Sequence, residues 1–122
     1  MKTFLIVIIT ILIFLVIYKP KKEKRDIGDV LIRQAARWSL AAEQDESPLI
    51  ALLHANYGAA YLWAAKDLLT SVEISRIAKI DSRDFEKKIV DIQDMSTKRV
   101  SSLCPEFMGD SDKVLLAVAG DA

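Results

Sequence analysis

His54, Tyr57 and Tyr61 are the residues whose types and spacing come nearest to a chemical apparatus. They fall at i, i+3 and i+7, so a helix aligns them in one stripe, with Asn56 beside it. An imidazole in a row with two phenols can hold a ligand or pass a proton. The same row also serves as a core network with its hydrogen bonds satisfied, which is the commoner fate of polar side chains on an apolar helix. His54 is the only histidine, which removes the usual histidine-rich metal sites, including paired Glu-x-x-His di-iron sites. Cys104 is the only cysteine, so the chain forms no internal disulfide. It stands at an expected helix C-terminus, where the helix dipole disfavours a thiolate. The sequence has no Gly-rich phosphate loop and no G-x-S-x-G elbow. The residues therefore supply no catalytic set, no metal ligands and no cofactor site, and an enzyme is not expected.

Two further charged groups have structural readings. Arg33, Gln34 and Arg37 precede the cluster Glu43, Gln44, Asp45 and Glu46. An arginine paired with Asp45 or Glu46 would pin a turn there. Carboxylates in an exposed loop are poor acid–base catalysts, because nothing shifts their pKa toward neutrality.

The element that must position everything else is at the start of the chain. Thr3 to Tyr18 contains sixteen residues without a charge. As a helix it rises about 24 Å, against a hydrocarbon core of about 30 Å. Flanking lysines that snorkel, and a thin membrane such as that of the endoplasmic reticulum, reduce the mismatch. Phe4, Leu5, Ile6, Val7, Ile8, Ile9, Ile11, Leu12, Ile13, Phe14, Leu15, Val16, Ile17 and Tyr18 are the expected anchor residues. Lys19, Lys21, Lys22, Lys24 and Arg25 follow and are placed to meet anionic headgroups. The run ends in Tyr18-Lys19-Pro20 without a small-residue cleavage step, so the segment reads as retained and not as a signal peptide. The positive-inside rule puts the N-terminus on the lumenal or external side and the rest in the cytosol.

Charge divides the same way. Residues 1–25 hold six Lys/Arg against one acid, and residues 26–122 hold 11 Lys/Arg against 16 acids. An acidic soluble part is a poor binder of nucleic acid, whose affinity rests on phosphate neutralisation. A helix-turn-helix around Asp81-Ser82 is disfavoured too, because the charges of residues 72–103 are interleaved and not gathered on a recognition face.

The expected organisation is an anchor at 1–19, a basic linker at 20–26, a helical domain at 27–107 and a tail at 108–122 that is acidic and then apolar. Pro20 and the KKEKR run are expected to end the anchor. Asp26 then caps a helix to Gln44 that packs through Ile27, Val30, Leu31, Ala35, Trp38 and Ala42. Ser47-Pro48 starts a second helix to Leu69, apolar nearly all round and so expected to be central and covered on most sides. Leu53, Tyr57, Tyr61, Trp63 and Leu68 are expected to fill the space around it. Thr70 and Glu73 make a capping box for a short third helix. Asp81 or Ser82 caps a fourth, ending at Cys104-Pro105, with Phe85, Ile89, Ile92, Val100 and Leu103 on its inner side and Met95 and Ser96 at the seam. The segment 114–119 is open between helix and strand. The fold class is all-α: one transmembrane helix, then a small four-helix or four-plus-one bundle about the apolar helix.

The run RQAARWSLAAEQDESPLIALLHANYGAAYLWAAKD, with the later IQD and CPEF, resembles a family of small uncharacterised membrane-anchored proteins of large DNA viruses of algae and protists. The resemblance spans about residues 33–107 and implies no catalytic residues. It implies a virion-internal membrane or a host membrane used for assembly, and a capsid or assembly component as protein partner. The function expected from residues and resemblance together is a membrane-tethered structural or interaction protein. The alternative is a ligand-binding or enzymatic helical domain built on the His54 stripe. The orientation has a direct check: a glycosylation acceptor placed after Ala122 stays unmodified if the domain is cytosolic, and its efficient modification would put the domain in the lumen.

Overall fold

The computed structural model describes residues 1–107, and the expectations for 108–122 fall outside those residues. Four α-helices and one short 3-10 turn make up the described chain, with no strand among them. They are α1 (Lys2–Gln44), α2 (Pro48–Leu68), α3 (Ser71–Ala78) and α4 (Ser82–Leu103), followed by the turn at Pro105–Phe107.

The largest departure from the expected organisation is α1. It is one helix of 43 residues, and the linker expected at 20–26 does not exist as a separate element. Asp26 lies inside the helix and caps nothing. Proline lacks the N–H that would bond the carbonyl of Val16, but it also holds φ at a helical value. The Lys, Glu and Arg residues that follow are strong helix formers. Beyond them, packing of residues 28–42 against α2 supplies the tertiary support that a short terminator signal does not outweigh.

α2 begins as its sequence indicates. Ser47 accepts a hydrogen bond from the Ile50 N–H, and Pro48 occupies the first helical turn. The helix runs antiparallel to α1, and the seam between them is made of small residues. Gly28, Ile32, Ala35, Ser39 and Ala42 of α1 are buried. Ala51, Ala55, Gly58, Ala59, Leu62 and Ala65 of α2 are buried too. The inner face of α1 is thus turned by about one residue from the expected one: Ile27 and Val30 are about half exposed. A Cβ added at Gly58 would stand 2.3 Å from Ser39 Oγ and 3.1 Å from both the Ala35 carbonyl oxygen and the Ser39 nitrogen. The backbones meet there as closely as glycine permits.

α2 is also less enclosed than its composition suggests. Leu49, Ile50, Leu53, Tyr57 and Trp63 are each more than two-fifths exposed. Alanine supplied the apolar count without demanding cover, and only one face of the helix meets neighbours. Tyr61 and Leu68 are partly buried against the core, as expected of them. α4 runs back along the pair and packs through Phe85, Ile89, Ser96 and Val100. Ile92 is partly buried, whereas Leu103 and Met95 are largely exposed.

Short α3 closes one end. Its capping box is complete: Thr70 Oγ1 accepts from the Glu73 N–H, and Glu73 accepts from the Thr70 N–H at 2.7 Å. That backbone donor, with Lys24 alongside, holds the Glu73 carboxyl below its usual pKa. Ile74 of α3 is buried in the same core cluster as Leu69 and Phe85. Asp81 caps α4, accepting from the Arg83 N–H.

The seam yields a graded prediction. Gly58→Ala lowers stability by about 1–3 kcal/mol, because backbone and a buried side chain stand in the way of the methyl. Gly28→Ala costs less, since its methyl meets only the Leu69 side chain, 2.8 Å away at its flexible end. Thermal melts of the full chain in detergent check the order, and equal losses would contradict it.

Candidate functional site

Residues from both sides of the α1–α2 turn gather where the chain reverses. Asp45 is the C-cap of α1, and its carboxylate lies 2.5 Å from His54 Nδ1 one turn and a half into α2. Trp38 covers the imidazole with ring centroids 4.9 Å apart, and meets Tyr57 edge-on at 5.3 Å. The His54 and Tyr57 rings are 6.4 Å apart. The residues that sequence spacing aligned are therefore only partly a unit. His54 and Tyr57 belong to one cluster, while Tyr61 lies a turn further on against the core. Sequence spacing missed Asp45 and Trp38, both of which come from the other side of the turn. The apolar step from Trp38 to Ala42 pointed Trp38 inward, and nothing local marked Asp45 as the imidazole's partner.

The turn is pinned by an arginine, though not by one of those expected. Arg33 pairs with Asp29, 3.1 Å away on its own helix. Arg99 of α4 instead donates to the backbone carbonyls of Asp45 and Glu46, at 3.4 and 2.7 Å. Three helix ends are tied at that point: the last turn of α1, the first of α2 and the last of α4. On the other flank of α2, the Gln93 amide donates to the Asn56 side-chain oxygen Oδ1 and Lys66 pairs with Glu86, so that flank faces α4. His54, Tyr57 and Tyr61 lie on the flank away from it.

An imidazole oriented by a carboxylate is part of a general-base arrangement. His54 and Asp45 are about one-quarter exposed, so water reaches the pair. Among the described residues, no group of three or more His, Cys, Asp or Glu side chains is placed to hold a metal ion. Two clefts of about 260 and 250 Å³ lie elsewhere. One is lined by Ala42, Ala51, Ile92 and Arg99, the other by residues of α1 and α3. Cys104 is half-buried at the end of α4, capping the helix through its N–H to the Val100 carbonyl.

The chain matches no protein-family model, no curated protein and no solved structure. The site is thus read from its own geometry. Along α1, the side chains of Phe4 to Tyr18 are all exposed, and α1 as a whole is, by length and composition, a helix long and apolar enough to cross a membrane. Lys19, Lys21, Lys22 and Arg25 are exposed on the same helix, whereas Lys24 is half-buried and pairs with Glu73 at 3.3 Å.

The Asp45–His54 contact is expected to act as a structural clip. His54→Ala lowers the melting temperature, and Asp45→Ala in addition lowers it little further. The coupling is about 1 kcal/mol, as for a partly exposed imidazole–carboxylate hydrogen bond. Additive losses in a double-mutant cycle would dissolve the clip.

Proposed function

We propose that the chain is a membrane-tethered interaction protein: α1 crosses the membrane near its start and then carries a partner-docking domain on its cytosolic side. The observation that carries this reading is the union, in one unbroken helix, of a wholly exposed apolar stretch and a face that packs the domain. Fifteen exposed apolar or Thr side chains in succession, residues 4–18, are what a lipid-facing surface requires and what water penalises. Continuity through 19–26 supports retention of the segment, since the helix passes without a break from apolar stretch to domain. The basic flank supports cytosolic placement of the domain.

The partner's surface is the flank of α1 and α2 away from α4. Ile27 and Val30 of α1, and Ile50, Leu53 and Tyr57 of α2, are exposed there, with Trp38 and His54 behind them. Aromatic side chains backed by a rigid clip are the usual anchors of protein–protein contacts. The resemblance to small viral membrane proteins suggests a capsid or assembly component as that partner, and a virion or endoplasmic-reticulum-derived membrane as the setting. A second reading, a ligand-binding or enzymatic domain, rests on the Asp45–His54 pair, which orients an imidazole at a water-accessible edge.

A photoreactive phenylalanine analogue in place of Tyr57, in the full chain in its native membrane, is expected to crosslink repeatedly to one structural protein. The same probe in place of Lys88, on the exposed side of α4, is not. Equal capture from both positions, or from neither, would count against the docking face.

A further inference from the structure

The antiparallel course of the helices puts α3 and both its connections at the end of the domain nearest the apolar stretch. Glu73 of α3 meets Lys24, and Leu69 meets Gly28. Gly28 is ten residues beyond Tyr18, or about 15 Å along the helix. This end differs in charge from the rest. Residues 19–29 and 70–83 hold eight basic and five acidic side chains, while 30–69 and 84–107 hold seven basic and nine acidic.

A cleft of about 250 Å³ opens at this end between α1 and α3. Arg25, Arg76 and Lys79 line it, with Leu69 and Ile77 forming its apolar floor. Two carboxylates also face it, and both are already engaged. Asp29 pairs with Arg33, and Glu73 is held by Lys24 and the Thr70 N–H. Among the described residues, Arg25, Arg76 and Lys79 form no ion pair. The cleft thus presents three uncommitted cations over an apolar floor, which suits a phosphate diester whose ester carbons need cover. Val72, about three-quarters exposed, and Ile80 stand at this same end, as apolar side chains do where a domain rests on a lipid interface.

Lys79 adds a point of its own. It closes α3 with φ at 61°, a conformation that favours glycine and that a lysine holds at a cost. Replacing it with glycine would relieve the backbone and remove one cation.

We propose that the cleft formed by Arg25, Arg76 and Lys79 binds the headgroup of one anionic glycerophospholipid from the membrane that α1 crosses. The lipid then tethers the domain at a second point, α3 resting on the headgroup layer. The inference depends on the membrane-spanning reading of α1.

The test uses the full chain in phosphatidylcholine nanodiscs doped with phosphatidylserine, with retained lipids counted by native mass spectrometry. The intact protein is expected to keep one phosphatidylserine in preference to phosphatidylcholine. Lys79→Gly and Arg76→Gln should each reduce that retention about tenfold, as loss of a charge-assisted phosphate contact does. Lys98→Gln, on the exposed side of α4 toward the other end, should leave it unchanged. Thermal melts confirm that the variants fold, with Lys79→Gly no less stable than the parent. Undiminished retention in Lys79→Gly and Arg76→Gln overturns the site. Displacement of the lipid by inorganic phosphate also overturns it, in favour of a soluble phosphate ligand. A chain that does not enter nanodiscs at all refutes the spanning reading, and this site with it, a result distinct from the other two.

Discussion

The close approach of α1 and α2 at Ala35, Ser39 and Gly58 is the contact on which the rest of the structure depends. Backbones separated by so little leave no room for a register shift, because moving either helix by a turn brings a larger side chain to the crossing. That register sets Gly28 against Leu69 at one end and Asp45 near His54 at the other. It also leaves a buried Ser39 hydroxyl without a hydrogen-bond partner among the described residues. An unpaired hydroxyl normally destabilises a core. Here it is the residue that fits: a larger apolar side chain would collide with Gly58, and the small size is what the crossing requires.

Small residues at the seam explain why bulky ones lie outside it. Leu53, Tyr57 and Trp63 cannot enter a contact that tight, so they remain on the outer flanks of α2. Trp63 is partly covered by the Lys66 ammonium, 4.3 Å from its ring centre. Tyr57 leans on Trp38. The apolar surface is thereby sorted into a lean interior and an aromatic exterior.

Much of this was legible in the residues. Ser47-Pro48, the Thr70–Glu73 box and Cys104-Pro105 are local signals whose physics is complete within a few residues, and the helix boundaries fall beside them. What was not legible depends on partners distant in the chain. Pro20 reads as a terminator only if nothing beyond it holds the helix, and the support comes from α2, some forty residues on. The inner face of α1 is misplaced by one position because Ile27 and Val30 are more hydrophobic than Gly28 and Ser39, yet closeness and not hydrophobicity selected the seam. Within the site, His54 and Tyr57 follow from helical spacing. Asp45 and Trp38 join them only because the chain reverses over three residues, and Arg99 arrives from the end of α4 to hold that reversal.

The unbroken course of α1 also makes the domain's bearing a matter of helical phase. Each residue of an α-helix advances about 100° around its axis. Whatever grips Phe4 to Tyr18 therefore determines which way Trp38 and Tyr57 point, through a count of intervening residues. One residue added between Tyr18 and Gly28 would swing the aromatic flank through more than a quarter-turn while displacing the domain by only about 1.5 Å. Two copies whose apolar stretches paired side by side would present their aromatic flanks at a fixed mutual angle. The segment that reads as a tether in composition is, in its geometry, a compass needle.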